Sequence, residues 1–465
     1  MSTSPSWLIA AVLGSVLLMF ATACGEGDTA AGSPTSAAPT DDPATTAPAT
    51  TATPETTPTE DPSPQDATDP TTSTTLAPES AVEISQGCPP PPDTPPITRP
   101  LSENNPHTPP SHLEDAAALW PTDWSRTTID LEELSLGIRA RDPRDLIPPI
   151  DRPVFVDVGV AQEWLSDRDP GMLVRVDDHA RFYPLRVLTR HEIVNDRFGD
   201  RPVTVTYCPL CNTAVAFDPV VNGTHLRFGV SGLLRNSDLV MWDLETTSLW
   251  QQITGEPLVG TYAGESPLAY VPSAIVAFSE FAESNPGGCV LGPDQAFGIS
   301  YGTNPYVGYS SSARPFLYSG DLDDRLPALS RVVGVNINNE NKAYSFGDLE
   351  AVRVINDTLD SVPIVVLWGA AHTADALDRS SMPDSQAIGT AVAYIATTGE
   401  RALTFTASGE DLFTDAQTNS TWNLLGEAID GPLTGTQLEF APHRNEFWFA
   451  WFAFFGATGE LWEAS

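Results

Sequence analysis

Apolar and polar positions alternate most regularly between Val203 and Asp218, in the stretch VTVTYCPLCNTAVAFD. Val203, Val205 and Tyr207 alternate with Thr204 and Thr206, and Ala214, Ala216 and Asp218 alternate with Val215 and Phe217. A period of two marks a half-buried strand, so the stretch predicts a β-hairpin with Cys208-Pro209-Leu210-Cys211 at its tip. This differs from a C-x-x-C that opens a helix, where the positive end of the helix dipole lowers the pKa of the first thiol. A redox role for Cys208 and Cys211 would therefore need another cation or donor.

The patterns around this hairpin occur twice. The first series runs GMLVRVDDHARFYPL, HEIVND, RPVTVTYCPLC, NTAVAFDPVVNGTHLRFGVSG, SDLVMWD, SLWQQITGEPLVG and SPLAYVP; the second runs SRVVGVNINNENKAYSF, VRVIND, VPIVVLWGAAH, TAVAYIATTGERALTFTASG, EDLFTDA, STWNLLGEAIDGPLTG and QLEFAP. Asn222-Gly223 and Thr398-Gly399 mark matching hairpin turns. Each series ends in an aromatic-rich segment that reads as a helix, Ala274 to Ser284 and Asn445 to Phe455. The expected fold is α+β and β-rich: two tandem duplicated small β domains, 153–311 and 312–465, each ending in a helix. Residues 111–152 form a lead-in, with a short helix expected at Asp130 to Leu136.

Ahead of these segments the pattern disappears. Residues 25–110 are mostly Thr, Pro, Ser, Ala, Asp and Glu, which bury too little apolar surface to offset the entropy of ordering, so they read as a disordered stalk. Trp7 to Ala23 is an apolar run too short for a comfortable membrane span, and Ala21-Thr22-Ala23 precedes Cys24. Residues 1–24 thus read as an export signal whose end resembles the lipobox of bacterial lipoproteins, with Cys24 the acylated residue. This places the mature protein in the cell envelope, in contact with the membrane only through that terminus.

Charge narrows the partners. Asp and Glu total 61 against 23 Lys and Arg, and Lys342 is the single lysine, so no basic stripe exists for nucleic acid or anionic lipid. Of the five cysteines, Cys24 is assigned to lipid, which leaves Cys208 with Cys211 and Cys88 with Cys289 as the simplest pairing in an oxidising compartment.

Comparing the two series separates fold positions from candidate chemistry. Tyr183 matches Tyr344, Asn195-Asp196 matches Asn356-Asp357, Asp238 matches Asp411, and Trp250 matches Trp422; these read as turns and core anchors. His191-Glu192 matches Val352-Arg353, and YCPLC matches Trp368-Gly369-Ala370-Ala371-His372. Joint loss of the histidine and both cysteines suggests one site, kept in the first series and decayed in the second.

The blocks HEIVND, TYCPLCNTAVAFD, FGVSGLLRNSDLVMWD, TGEPLVG and FWFAWFAFF, spanning about Pro153 to Leu461, resemble the prokaryotic family called domain of unknown function 3179. The family brings no established activity; some members are described as candidate selenoproteins, which implies redox use of the C-x-x-C. Arg190 stands where Trp commonly precedes HEIVND, and Asn212 where Gly commonly follows CPLC.

Three readings of the site remain open. In the first, Cys208 and Cys211 exchange disulfides, with His191 tuning a thiol from an adjacent strand and Glu192 orienting it. In the second, the pair is a structural clamp in a non-catalytic surface binding or structural module. In the third, Cys208, Cys211 and His191 bind zinc or copper(I). Ser231 is a poor nucleophile candidate, because GVSG is not the G-x-S-x-G elbow. Trp448 and Trp451 read as core rather than as a binding groove, and the sequence names no cofactor or partner.

Overall fold

The computed structural model describes residues 87–94, 97–102, 105–107, 109–295, 297–370 and 372–464. The export-signal segment, Cys24 and most of the expected stalk lie outside the described residues. Within the expected stalk, Cys88 forms a disulfide with Cys289, and Asn105 Nδ2 donates to the carbonyls of Trp120 and Thr122 at 2.5 and 2.8 Å. From Gly87 the described chain is bound to the body. Its prolines lack the N–H groups a sheet would need, so side-chain and covalent ties replace a ladder.

The chain is β-rich with few, short helices. The elements that position the site are β1 (Pro170–Val176), β2 (His179–Pro184), α1 (Leu185–His191), β3 (Ile193–Phe198), β4 (Arg201–Cys208), β5 (Thr213–Asp218), β6 (Phe228–Arg235), β7 (Asp238–Asp243), β8 (Leu249–Gln251), β9 (Ser273–Ala277) and α2 (Phe278–Ser284). They form three antiparallel groups, β9-β1-β2, β5-β4-β3 and β6-β7-β8. A second set follows: β10 (Arg331–Ile337), β11 (Glu340–Ser345), α3 (Phe346–Val352), β12 (Val354–Leu359), β13 (Val362–Gly369), β14 (Thr390–Ile395), β15 (Phe405–Gly409), β16 (Leu412–Asp415), β17 (Thr421–Asn423), β18 (His443–Phe447) and α4 (Trp448–Phe455). Its groups are β18-β10-β11, β12-β13-β14 and β15-β16-β17.

Side-chain braces recur at matching places. Asn195 brackets the backbone of Phe228, donating to its carbonyl at 2.8 Å and accepting its N–H at 3.1 Å, and Asn356 does the same to Phe405 at 2.9 and 2.8 Å. Trp250 Nε1 donates to Asp243 at 2.9 Å and Trp422 Nε1 to Asp415 at 3.0 Å. Each brace supplies partners to buried polar atoms that would otherwise go unsatisfied. The two sets share their cores: one apolar cluster holds Tyr183, Val205 and Cys208 together with Val332, Leu377 and Trp448.

Three expected helices are corrected. Ala274 to Ser284 divides into strand β9 and helix α2, and Asn445 to Phe455 into β18 and α4. Both strands are buried at every position, which removes the alternation that would have marked them. At Asp130 to Leu136 a single 3-10 turn, Leu131–Glu133, capped by Asp130, gives way to the strand Leu134–Leu136.

Candidate functional site

Cys208 is the last residue of β4, and its Cα faces Thr213 at the start of β5. The link between them is four residues long, and Asn212 within it adopts the left-handed conformation at φ 52°. Only Gly, Asn and Asp take that conformation readily, so Asn212 does here what a glycine would do. The turn folds both sulfurs inward, where Cys208 and Cys211 are buried, free thiols.

A second hairpin meets them. Strands β6 and β7 are joined by Asn236-Ser237, both at positive φ (52° and 65°), the tight pair that a two-residue hairpin requires. This turn brings the Ser237 carbonyl to 3.5 Å from Cys211 Sγ and 3.8 Å from Cys208 Sγ. It also sets Asp238 beside them: one ligand atom each from Cys208, Cys211 and Asp238 lie within 4.8 Å of one another, all in the interior. Asp238 Oδ2 accepts from Gln251 Nε2 at 2.7 Å and from the Ile253 N–H at 3.0 Å, and the carboxyl is also hydrogen-bonded to both thiols.

The match of Asp238 to Asp411 is therefore corrected. The first hairpin continues two pairs past Leu233↔Val240, to Leu234↔Leu239 and Arg235↔Asp238, whereas the second closes at Gly409↔Leu412. Asp238 belongs to an extension present in the first set alone. Asp411 instead fills the space above Gly369, where a Cβ would meet its Oδ1 at 2.8 Å, and it pairs with His372 at 2.7 Å and Arg353 at 3.4 Å. Gly369 faces Thr390 as Cys208 faces Thr213, so residues 370–389 stand where the first set has the short PLCN link.

His191 is not on the adjacent strand. It ends α1, and Glu192 turns the chain at φ 60° before β3 begins. The imidazole Nδ1 lies 2.6 Å from the Pro148 carbonyl and Nε2 lies 2.7 Å from the Tyr301 hydroxyl. A carbonyl only accepts, so Nδ1 carries the proton and the tyrosine O–H donates to Nε2. Burial lowers the pKa of His191 to about 4. The ring is neutral and engaged at both nitrogens, a brace for the Phe297 to Tyr301 segment.

Glu192 does reach the site. Its carbonyl accepts the Tyr207 N–H at 2.8 Å, and its carboxyl is buried, bonded to Tyr306 and pushed up to about 8 by desolvation and then by Asp238. Asp238 itself is pushed up to about 6 by desolvation. Burial also raises both thiols, Cys211 well above the usual range, and the charges of Asp238 and Glu192 raise Cys208 further. A thiol activated for exchange sits in electropositive surroundings; these sit in acidic ones.

The linker after the first set straps the site. Tyr309 donates to the Leu210 carbonyl at 2.9 Å, Ser237 Oγ donates to the Phe316 carbonyl, and Arg190 Nη2 holds Thr303 at 2.8 Å. From the second set, the Phe447 N–H donates to the Cys211 carbonyl at 2.9 Å. Glu446 on the same strand is buried and pushed up to about 7, chiefly by desolvation, with Asp238 adding to the effect. The sequence reading took Asp238 only as a fold position, and Glu446 was not singled out. The polar run Arg444-Asn445-Glu446 beside FWFAWF was the available signal for the second.

A family model described as protein of unknown function (DUF3179) matches residues 144–458. The chain belongs to this family. No curated protein matches the chain, and no solved structure does.

Proposed function

We propose that this DUF3179 protein is a metal-binding protein of the cell envelope, whose centre is formed by Cys208, Cys211 and Asp238. The observation that carries the reading is the approach of three ligand atoms within 4.8 Å in the protein interior. Two thiolates and a carboxylate are a donor set for zinc, and three protein ligands leave a fourth position open, the arrangement of a reactive rather than a closed site. The raised thiol and carboxyl pKa values fit this role, because a divalent cation removes the penalty that burial places on these charges. Gln251 and the Ile253 N–H hold Asp238 Oδ2 and aim Oδ1, as outer partners of a metal ligand do. His191 is not in this set.

Native mass spectrometry of the exported protein tests it. One zinc per chain, lost in Cys208→Ser and in Asp238→Asn, is the expected result; a metal-free chain with two accessible thiols would refute it. The redox reading retains one supporting observation, the hydrogen bond between the two thiols. The same spectrum separates it, since an intact Cys208–Cys211 disulfide is lighter by two hydrogens. A bare structural clamp would show neither metal nor exchange.

The recurrence of strand order, register and braces supports an origin by tandem duplication, with boundaries near 153–311 and 312–465. The Cys88–Cys289 disulfide supports export to an oxidising compartment. Acylation of Cys24 is the corresponding anchor.

A further inference from the structure

A buried metal centre needs an entry path. Cys208 and Cys211 are closed off by the strap on one side and by β18 on another, and two adjoining cavities lie in a third direction, the inner one reaching Asn212. An open cleft of about 400 Å³ is lined by Leu326, Arg331, Phe346, Gly347, Trp368 and Ile388. Behind it lies an inner chamber of about 10 Å³, about the space one water needs. The two share Arg331, Phe346, Ile388 and Gly389 as their common wall, and the chamber ends on Asn212 and Asn445. Asn212 directly follows Cys211.

The common wall is polar at one point. Arg331 Nη2 is paired with Asp375 Oδ1 at 2.6 Å, and both residues act on the buried Tyr207 hydroxyl, one residue ahead of Cys208. Arg331 Nε and Asn445 Oδ1, on the chamber wall, have no protein partner. A donor and an acceptor left unpaired around a space of this size are the partners a single water would take. Asp375 lies in the 370–389 excursion that stands in the second set where the first has PLCN. That excursion therefore has a use: it carries the acid that holds Arg331 across the passage.

We propose that the cleft is the entrance where a divalent cation sheds its water shell before passing Asn212 to Cys211, and that the Arg331–Asp375 pair is its gate. This rests on the metal reading above for the identity of the cargo, but the passage can be probed without metal. Gly347 lies on the cleft wall, and a Cβ there meets only Ser345 Oγ at 3.8 Å, so Gly347→Trp is the substitution chosen to fill the cleft, with its fold checked by circular dichroism. Asp375→Asn keeps the hydrogen-bonding shape and weakens the pair. Two rates are measured on the full chain: uptake of zinc by metal-free protein, and modification of the cysteines by methyl methanethiosulfonate.

Both rates should fall at least tenfold in Gly347→Trp and rise severalfold in Asp375→Asn, with equilibrium zinc affinity unchanged. If zinc binds but neither rate changes in Gly347→Trp, the route is wrong and the centre stands. If wild type binds no zinc, the centre is wrong, and the modification rates alone decide the route. Gly347→Trp keeps the test valid even if Asp375→Asn does not fold.

Discussion

The Phe447 N–H donates to the Cys211 carbonyl at 2.9 Å, which ties the last strand of the second set to the cysteine turn of the first. The tie is part of an exchange: β18 packs on β5, and β9 packs on β14. Each set thus covers part of the other, and the second is a structural wall of the candidate site in the first. Calorimetry of the full chain should show a single unfolding transition. Two transitions would mean that the shared core does not couple the halves.

His191 is a brace, and its removal should act on stability. His191→Ala loses two buried hydrogen bonds and leaves the Pro148 carbonyl unpaired, at a cost on the order of 2–4 kcal/mol. Zinc affinity should stay within about twofold, since that loss concerns no ligand. A large fall in affinity with unchanged denaturant midpoint would return the histidine to the site.

The β-hairpin and its cysteine tip were legible because alternation over VTVTY and TAVAF leaves few other readings. His191 was misplaced because α1 is only seven residues long and its stop signal is Glu192 in a left-handed turn, with no glycine to announce it. HEIVND consequently read as one strand. The partner of the cysteines was hidden for a different reason. Asp238 reaches them through a two-pair lengthening of a separate hairpin, and a comparison of short motifs registers the aspartate but not the register that places it. The strands β9 and β18 were hidden by complete burial, which erases periodicity.

Stability of the metal-free protein should fall as pH rises from about 5 to 8. The pKa of Glu192 is raised from 4.5 to about 8 in the folded chain, so its contribution is fully present below the unfolded value and is lost as pH climbs through the folded one. His191, depressed to about 4, works in the opposite sense and removes stability only as pH falls below about 6.5. Glu192→Gln should therefore flatten the alkaline side, with a gain relative to wild type on the order of 2 kcal/mol at pH 8 over pH 5. Equal slopes in the two proteins would show that Glu192 is not buried as a neutral acid.

Zinc affinity should rise steeply with pH, because both thiols and Asp238 must surrender protons that burial holds on them. Titration calorimetry in buffers of different ionisation enthalpy should find two or more protons released per zinc near pH 6. Release of none would exclude thiolate ligation.

Cys88→Ser should lower stability by roughly 3–5 kcal/mol, the upper part of the usual range for a disulfide, since the bond closes a long loop. Its sequence separation is 201 residues. Zinc content should not change. Loss of zinc with the disulfide would mean that the segment around Cys88 supports the centre directly.

X-ray absorption at the zinc edge of the full wild-type chain tests the central claim most directly. The account predicts two sulfur scatterers at ~2.3 Å and one or two oxygens near ~2.0 Å, with no imidazole signature. A chain without zinc, or a zinc shell containing histidine and no sulfur, would contradict it.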